Sequence, residues 1–396
     1  MIVKNSIFQS FCLIVVGLLT ISVTAQAAQK KLAKVKLSGF VQKKAKKAQS
    51  VFAQQQPHFF QSSHFSSQWG LSTWRWKEGL NDSLGVLLSV KVNWEKELIS
   101  NLLFKTSIDF KASKSRLQQH IFGSKESGVY AIRQAKLVAL PFSSLSVDVG
   151  ILSEGFWNKD LLISSSSSFI GSRQSWNTDT KNLSFAFHLE QSIPPSTSND
   201  NYRLANEKLP YFLMAQGEVN YQKTQWSLKS QLFYANYLQL PNVVAFQSSL
   251  LGNTVVGDQP SNSNFLWGFG ILGAGLNYYY PLWNTGLESY ILLNHKADSS
   301  VAKARFLKLY FDNISLFSQD LTLVLEEFFV EPDATVSYYN SGTYGHTNRE
   351  GFSVAVLWNI NQFSKLGLRY LQSNVINLEN IQDTLQSVSV SLESKL

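Results

Sequence analysis

The chain has 396 residues, a net charge of +8, 13% aromatic residues and one cysteine, Cys12. A single cysteine excludes a disulfide framework and a thiolate metal cluster. The charge is local: Lys30, Lys31, Lys34, Lys36, Lys43, Lys44, Lys46 and Lys47 lie together with no acid among them. Setting these and Lys4 aside leaves 26 of the 35 basic residues against 27 acidic ones, so the body is nearly neutral. No basic stripe runs through that body, which argues against a nucleic-acid partner.

Residues Met1–Ala27 have the plan of a secretory signal. Lys4 opens it, Ile7–Val23 is largely apolar, and Ala25-Gln26-Ala27 is a small-x-small site with cleavage expected near Ala27. The apolar run Phe11–Leu19 is too short for a membrane-spanning helix. Residues 28–66 then read as a Lys-rich periplasmic tail. It fits a solvated leader, and the sharper alternative is electrostatic contact with anionic cell-wall polymer or lipid.

From Ser67 to Leu396 the pattern is alternation. Val86, Leu88, Val90, Val92 and Trp94 oppose Ser89, Lys91 and Asn93, and Phe104, Thr106, Ile108 and Phe110 oppose Lys105, Ser107, Asp109 and Lys111. Val147 and Val149 oppose Asp148, and Phe185, Phe187 and Leu189 oppose His188 and Glu190. The clearest case is a hairpin over Pro210–Gln239. Tyr211, Leu213, Ala215, Gly217, Val219 and Tyr221 share one face, with Gln216 and Glu218 on the other. Beyond a two-residue loop at Lys223-Thr224, Trp226, Leu228 and Leu232 face the same way, opposite Lys229 and Gln231. That register pairs Tyr221 with Trp226 and Val219 with Leu228. Val354, Val356 and Trp358 oppose Ser353 and Asn359, Leu368 opposes Arg369, and Val388, Val390 and Leu392 oppose serines and Glu393. Val301–Asn313 and Asp320–Glu331 change phase at Phe306-Leu307 and Glu326-Glu327, where a bulge is expected. No amphipathic helix is evident.

A face that is apolar in the middle and aromatic at its rim suits lipid, and strands of about a dozen residues suit a tilted bilayer crossing. Tight turns alternate with longer polar loops at Ser113–Ser127, Ser192–Leu209, Leu240–Phe265 and Pro332–Asn348. Short turns belong in the periplasm and long loops outside. Parity then requires an inward-running strand near Ser168–Trp176, which brings the count to sixteen. The expected fold is all-β: a transmembrane antiparallel barrel in the outer membrane of a Gram-negative bacterium.

The stretch Tyr130-Ala-Ile-Arg133-Gln134-Ala135, with Leu140-Pro-Phe-Ser-Ser-Leu145 and Val149-Gly150 after it, resembles the strand-turn-strand signature of the general bacterial porins. The layout of Ser67–Leu396 is similar to theirs. The resemblance implies that the loop after the fifth strand folds into the lumen, with Glu154, Lys159 and Asp160 as its constriction residues. It also implies a homotrimer, contact with outer-membrane lipid and lipopolysaccharide, and recognition of the C-terminal strand 384–396 by the barrel-assembly machinery. The chain departs from that family in ending at Leu396, where the family usually has an aromatic residue, and in carrying few loop acids.

Catalytic chemistry is not indicated. Gly268-Phe-Gly270-Ile-Leu-Gly273 matches a dinucleotide-binding pattern, but an aromatic strand follows it where a helix is needed. The six histidines have no metal-ligand spacing, so neither metal nor cofactor is expected. The reading is a weakly selective outer-membrane channel for small hydrophilic solutes and ions. Its pore wall is assigned to Lys91, Lys105, Asp109, Arg133, Asp148, His188, Glu190, Gln216, Glu218, Lys229, Gln231 and Arg369. An outer-membrane lipid hydrolase and a structural anchor to the cell wall are the alternatives.

Overall fold

A strand with one apolar and one polar face leaves its backbone edges unpaired unless the sheet closes on itself. The computed structural model, which describes residues 64–79, 81–115, 129–196, 207–316, 319–378 and 382–395, shows that closure. The expected signal and the lysine cluster lie outside the described residues.

The first half of the wall is β1 (His64–Glu78), β2 (Asn81–Ile99), β3 (Leu102–Ser115), β4 (Val129–Phe142), β5 (Leu145–Ser153), β6 (Ser168–Asp179), β7 (Leu183–Ile193), β8 (Tyr211–Gln222) and β9 (Ser227–Leu238). A loop follows that contains helix α1 (Asn242–Leu250) and the short pair β10 (Val255–Val256) and β11 (Asn264–Phe265). The wall resumes with β12 (Phe269–Tyr280), β13 (Thr285–Asn294), β14 (Lys303–Leu316), β15 (Gln319–Val330), β16 (Arg349–Asn359), β17 (Ser364–Val375) and β18 (Leu385–Lys395). Neighbours pair antiparallel in chain order, β9 pairs with β12, and β18 closes onto β1. The expected all-β, sixteen-stranded closed barrel is what forms, with β1 starting three residues before the expected boundary at Ser67.

Three local expectations change. The β8–β9 register pairs Tyr221 with Leu228 and Val219 with Ser230, two residues from the predicted pairing. Residues 223–226 form the turn, closed by the Lys223 amide donating to the Trp226 carbonyl at 2.8 Å. Two-residue hairpins need positive φ, and neither Lys223 nor Thr224 adopts it. A slip of two preserves the faces, so the lipid-facing set stands. Second, there is no bulge at Phe306-Leu307 or Glu326-Glu327; the ladder runs unbroken through Phe306–Phe328, Leu307–Glu327 and Lys308–Glu326. The sequence changes phase because the barrel interior changes character. Near the loops its inner face is apolar, with Ala304, Phe306, Phe328 and Val330 buried, while outside at that level Arg305 pairs with Glu327 at 3.3 Å. Third, the loop after β9 contains α1, nine residues that are too short for a legible helical period.

Outward positions remain exposed and apolar, among them Leu232 (70%), Ile291, Ile170, Val149 and Leu368. Tyr221, Trp226 and Tyr278 form a contiguous aromatic cluster at the turn end, with ring centroids 5.2 and 6.3 Å apart. The glycines of β12 serve packing. A Cβ on Gly273 would sit 2.1 Å from the Phe233 ring, which lies flat across the wall there.

Candidate functional site

The barrel interior is divided. Loop 154–167 leaves β5 and turns inward, where Trp157, Leu161, Leu162 and Ile163 are each at most 1% exposed. It crosses to the inner faces of β9 and β13. The Lys159 ammonium donates to the Gln231 side chain, Asn158 Nδ2 to Glu288 Oε1 at 3.3 Å, and the Tyr290 hydroxyl accepts from the Leu161 amide at 3.1 Å. Loop 331–348 folds in above it. The Ser164 amide donates to the Tyr339 carbonyl at 2.7 Å, and Thr335 Oγ1 to the Leu162 carbonyl at 3.0 Å. Asn253, after α1, fixes the third piece. Its Nδ2 donates to the carbonyls of Pro332 and Thr335 (2.6 and 2.8 Å), and its Oδ1 accepts from the Ser337 amide and hydroxyl (2.8 and 2.6 Å). Apolar residues of these three segments and of the β6–β15 inner wall, with Leu371 of β17 and Leu385 of β18, form one buried cluster. This cluster fills one side of the lumen.

A buried charge group anchors the loop. Arg173, 1% exposed, donates through Nε and Nη2 to Glu190 Oε2 at 2.8 and 2.5 Å, and its Nη2 lies 3.6 Å from Glu154 Oε2. Trp157 Nε1 lies 3.0 and 3.1 Å from the same two carboxylates, and Ser192 Oγ donates to Glu190 Oε1 at 2.7 Å. The rings of Phe156 and Trp157 flank the guanidinium at 4.3 and 5.2 Å. Two carboxylates thus share one cation in a dry site. Burial first, and the neighbouring Glu190 second, push the Glu154 carboxyl well above the usual range. Glu154 and Glu190, expected in the constriction and on the pore wall, are instead fully buried. His188 (7%) and Gln216 (2%) are also buried, His188 Nδ1 lying 2.9 Å from Ser175 Oγ.

The sign of this shift gives a pH prediction. A carboxyl whose folded-state pKa is raised contributes stability below its unfolded pKa and loses it as pH rises through the folded value. Glu154→Gln should therefore leave stability at about pH 5 unchanged and flatten its decline toward about pH 9. Unfolding midpoints of both proteins at the two pH values test this, and equal slopes would contradict it.

The open side is lined by β1–β5 and β16–β18. Lys91, Lys365 and Glu393 share the inward-facing side of the wall with Gln68, Ser89 and Lys111 in the strand register, yet remain exposed to solvent. Most other charges here pair: Lys105 with Glu95 (3.0 Å), Arg133 with Asp109 (2.8 Å), Lys136 with Asp148 (2.5 Å) and Arg369 with Glu326 (2.6 Å). Below the loop, Lys229 pairs with Glu218 at 2.6 Å. Arg133 lies at the register shift between β3 and β4 and also donates to the Ser166 carbonyl of the loop. In the loop, burial lowers the Lys159 ammonium to about 8, and burial raises the Asp160 carboxyl, which accepts from the Ser165 amide at 3.2 Å. Sequence reasoning missed Arg173, Lys136 and Glu326. Parity could have found Arg173, which lies three residues before the rim residue Trp176 and so on the opposite face.

No family model matches the sequence, and no curated protein matches it. Solved structures do. The high-pH structure of OprB from Pseudomonas putida has a TM-score of 0.57 at 10% identity, covering 84% of this chain and 94% of that one. A loop-deletion mutant of OmpT from Vibrio cholerae scores 0.51 at 9% identity, over 85% and 100% of the two chains. Salmonella typhi OmpF, in complex with daunomycin, scores 0.50 at 9%, over 84% and 97%. At such identities the likeness is one of fold. This chain is an all-β, sixteen-stranded closed barrel with the fold of the outer-membrane porins.

Proposed function

We propose that the chain is a passive, weakly selective channel of a Gram-negative outer membrane for small hydrophilic solutes and ions, with no catalytic step. The observation that carries this reading is the division of the barrel. Its outer wall is apolar, while the inner wall of β1–β5 and β16–β18 carries Lys91, Lys365 and Glu393 exposed to solvent and Lys105, Arg133 and Arg369 partly exposed. A wall of that kind hydrates a pore, and the pairing of most of its charges keeps ionic selectivity weak. The buried cluster on the other side narrows the passage without lining it. The loops 154–167 and 331–348, cross-linked by backbone hydrogen bonds, supply a fixed constriction.

The same reading places lipid and lipopolysaccharide against the apolar band and the assembly machinery at residues 384–396. A homotrimer, and a cell-wall contact of the Lys-rich tail, remain part of the proposal. Purified protein in liposomes tests the channel by swelling in isosmotic sugar. Monosaccharides should enter freely and rates should fall steeply with solute size. Protein-free swelling rates for every sugar would reject the reading.

A further inference from the structure

Resting on the channel reading, we propose that the inner wall of β2–β4 is a small-anion site, so that the pore passes small inorganic anions in preference to cations. Four charges form the patch: Lys91 on β2, Asp109 and Lys111 on β3, and Arg133 on β4. Lys91 stands opposite Asp109 in the strand register, and Lys111 is two residues further along the same face. Asp109 is committed to Arg133, which binds it through Nε at 2.8 Å. Among the described residues Lys91 and Lys111 make no ion pair, so three cations surround one neutralised carboxylate. The neighbouring pairs Lys105–Glu95 and Lys136–Asp148 cancel internally.

The opposing side supplies a single acid near this patch, Asp160, against its three cations. Where the inward loop lands on β4 it presents the hydroxyls of Ser164, Ser165 and Ser166, which donate to anions as readily as they accept from cations. Ser164 Oγ and Ser166 Oγ lie 2.9 Å apart, beside the carbonyl that Arg133 holds. Of the two loop acids, Asp160 alone reaches these serines. Glu154 is fully buried with Arg173. Asp160 accepts from the Ser165 amide and has Arg369 and Glu326 as its charged neighbours. Across the passage, Asp160 and Glu326 against Arg369 leave one negative charge, while the β2–β4 patch leaves two positive ones. The balance favours anions. An anion in the passage meets ammonium groups and hydroxyl donors on two sides, and the exposed carboxylate on the patch side, Glu393, stands opposite Lys365 in the strand register.

The test is the reversal potential of the full purified protein in a planar bilayer under a tenfold potassium chloride gradient. A unit charge ~5 Å from the ion path in an aqueous dielectric biases local ion concentration about two- to fourfold. Wild type should show a permeability ratio about two- to fourfold in favour of chloride. Lys91→Gln with Lys111→Gln should move the ratio at least about twofold toward potassium, while Lys91→Arg with Lys111→Arg should keep the wild-type value. Inorganic phosphate on one side should depress chloride current in wild type and lose most of that effect in the glutamine variant. Conducting channels that prefer potassium in wild type, or a ratio unmoved by the glutamine pair, overturn the anion site and leave the channel standing. Absence of conductance in wild type overturns both.

Discussion

Arg173→Met is expected to lower barrel stability by about 3–5 kcal/mol, the cost of removing one partner from a buried ion pair. The guanidinium is 1% exposed, and Glu154 and Glu190 are 0% exposed. Methionine fills the slot between Phe156 and Trp157 but donates nothing. Glu190 keeps its bonds from Ser192 and Trp157 and loses two charge-assisted ones, and the carbonyl of Ser153 loses its donor at 3.3 Å. Two carboxylates would then face each other in a dry site without a cation. Because the group sits where the inward loop departs from β5, the loss should also loosen the constriction and increase current noise. Adding Glu154→Gln and Glu190→Gln to Arg173→Met should recover much of the stability, since removing buried charges together avoids the desolvation cost. The unfolding midpoint of the three proteins is the measurement. A single variant as stable as wild type would show that the charge group is not what holds the loop.

Leu232→Arg should cost about 2–4 kcal/mol. Leu232 is the sixth residue of the twelve-residue strand β9, at its middle, and is 70% exposed on the outer face. A guanidinium there has no partner and no water. Asn93→Arg, on the inner face where Asn93 Nδ2 already reaches Ser66 Oγ at 3.4 Å, should stay within about 0.5 kcal/mol. Folding yields into lipid vesicles measure both. Equal effects at the two sites would contradict the assignment of faces, and a larger effect at Asn93 would mean that it is inverted.

The fold was legible because a barrel writes itself in period two. Most wall strands show it, and loop lengths set the alternation of strand direction, so even β6, with weak alternation, followed from parity. The hairpin register slipped because turn geometry, not alternation, decides it: Lys223-Thr224 lacks the residues for a two-residue turn. The false bulges have a different origin. Alternation assumes that the inner face is polar throughout, and beneath the loops Phe306, Phe328 and Val330 face inward against Tyr344 and its neighbours. The site was less legible. Which inward charge is paired, buried or wet depends on contacts between segments far apart in sequence, such as Arg173 with Glu190 or Arg349 with Glu78. Glu154 and Glu190 look like pore acids in the sequence, and only the folded loop hides them.

The most direct test of the central claim is single-channel recording of the purified protein in a planar lipid bilayer, with folding checked by heat-modifiable migration on a gel. A hydrated passage beside a fixed constriction predicts discrete, long-lived conductance steps that scale with bulk salt and open without added ligand. Folded protein that inserts and yields no steps would contradict the account.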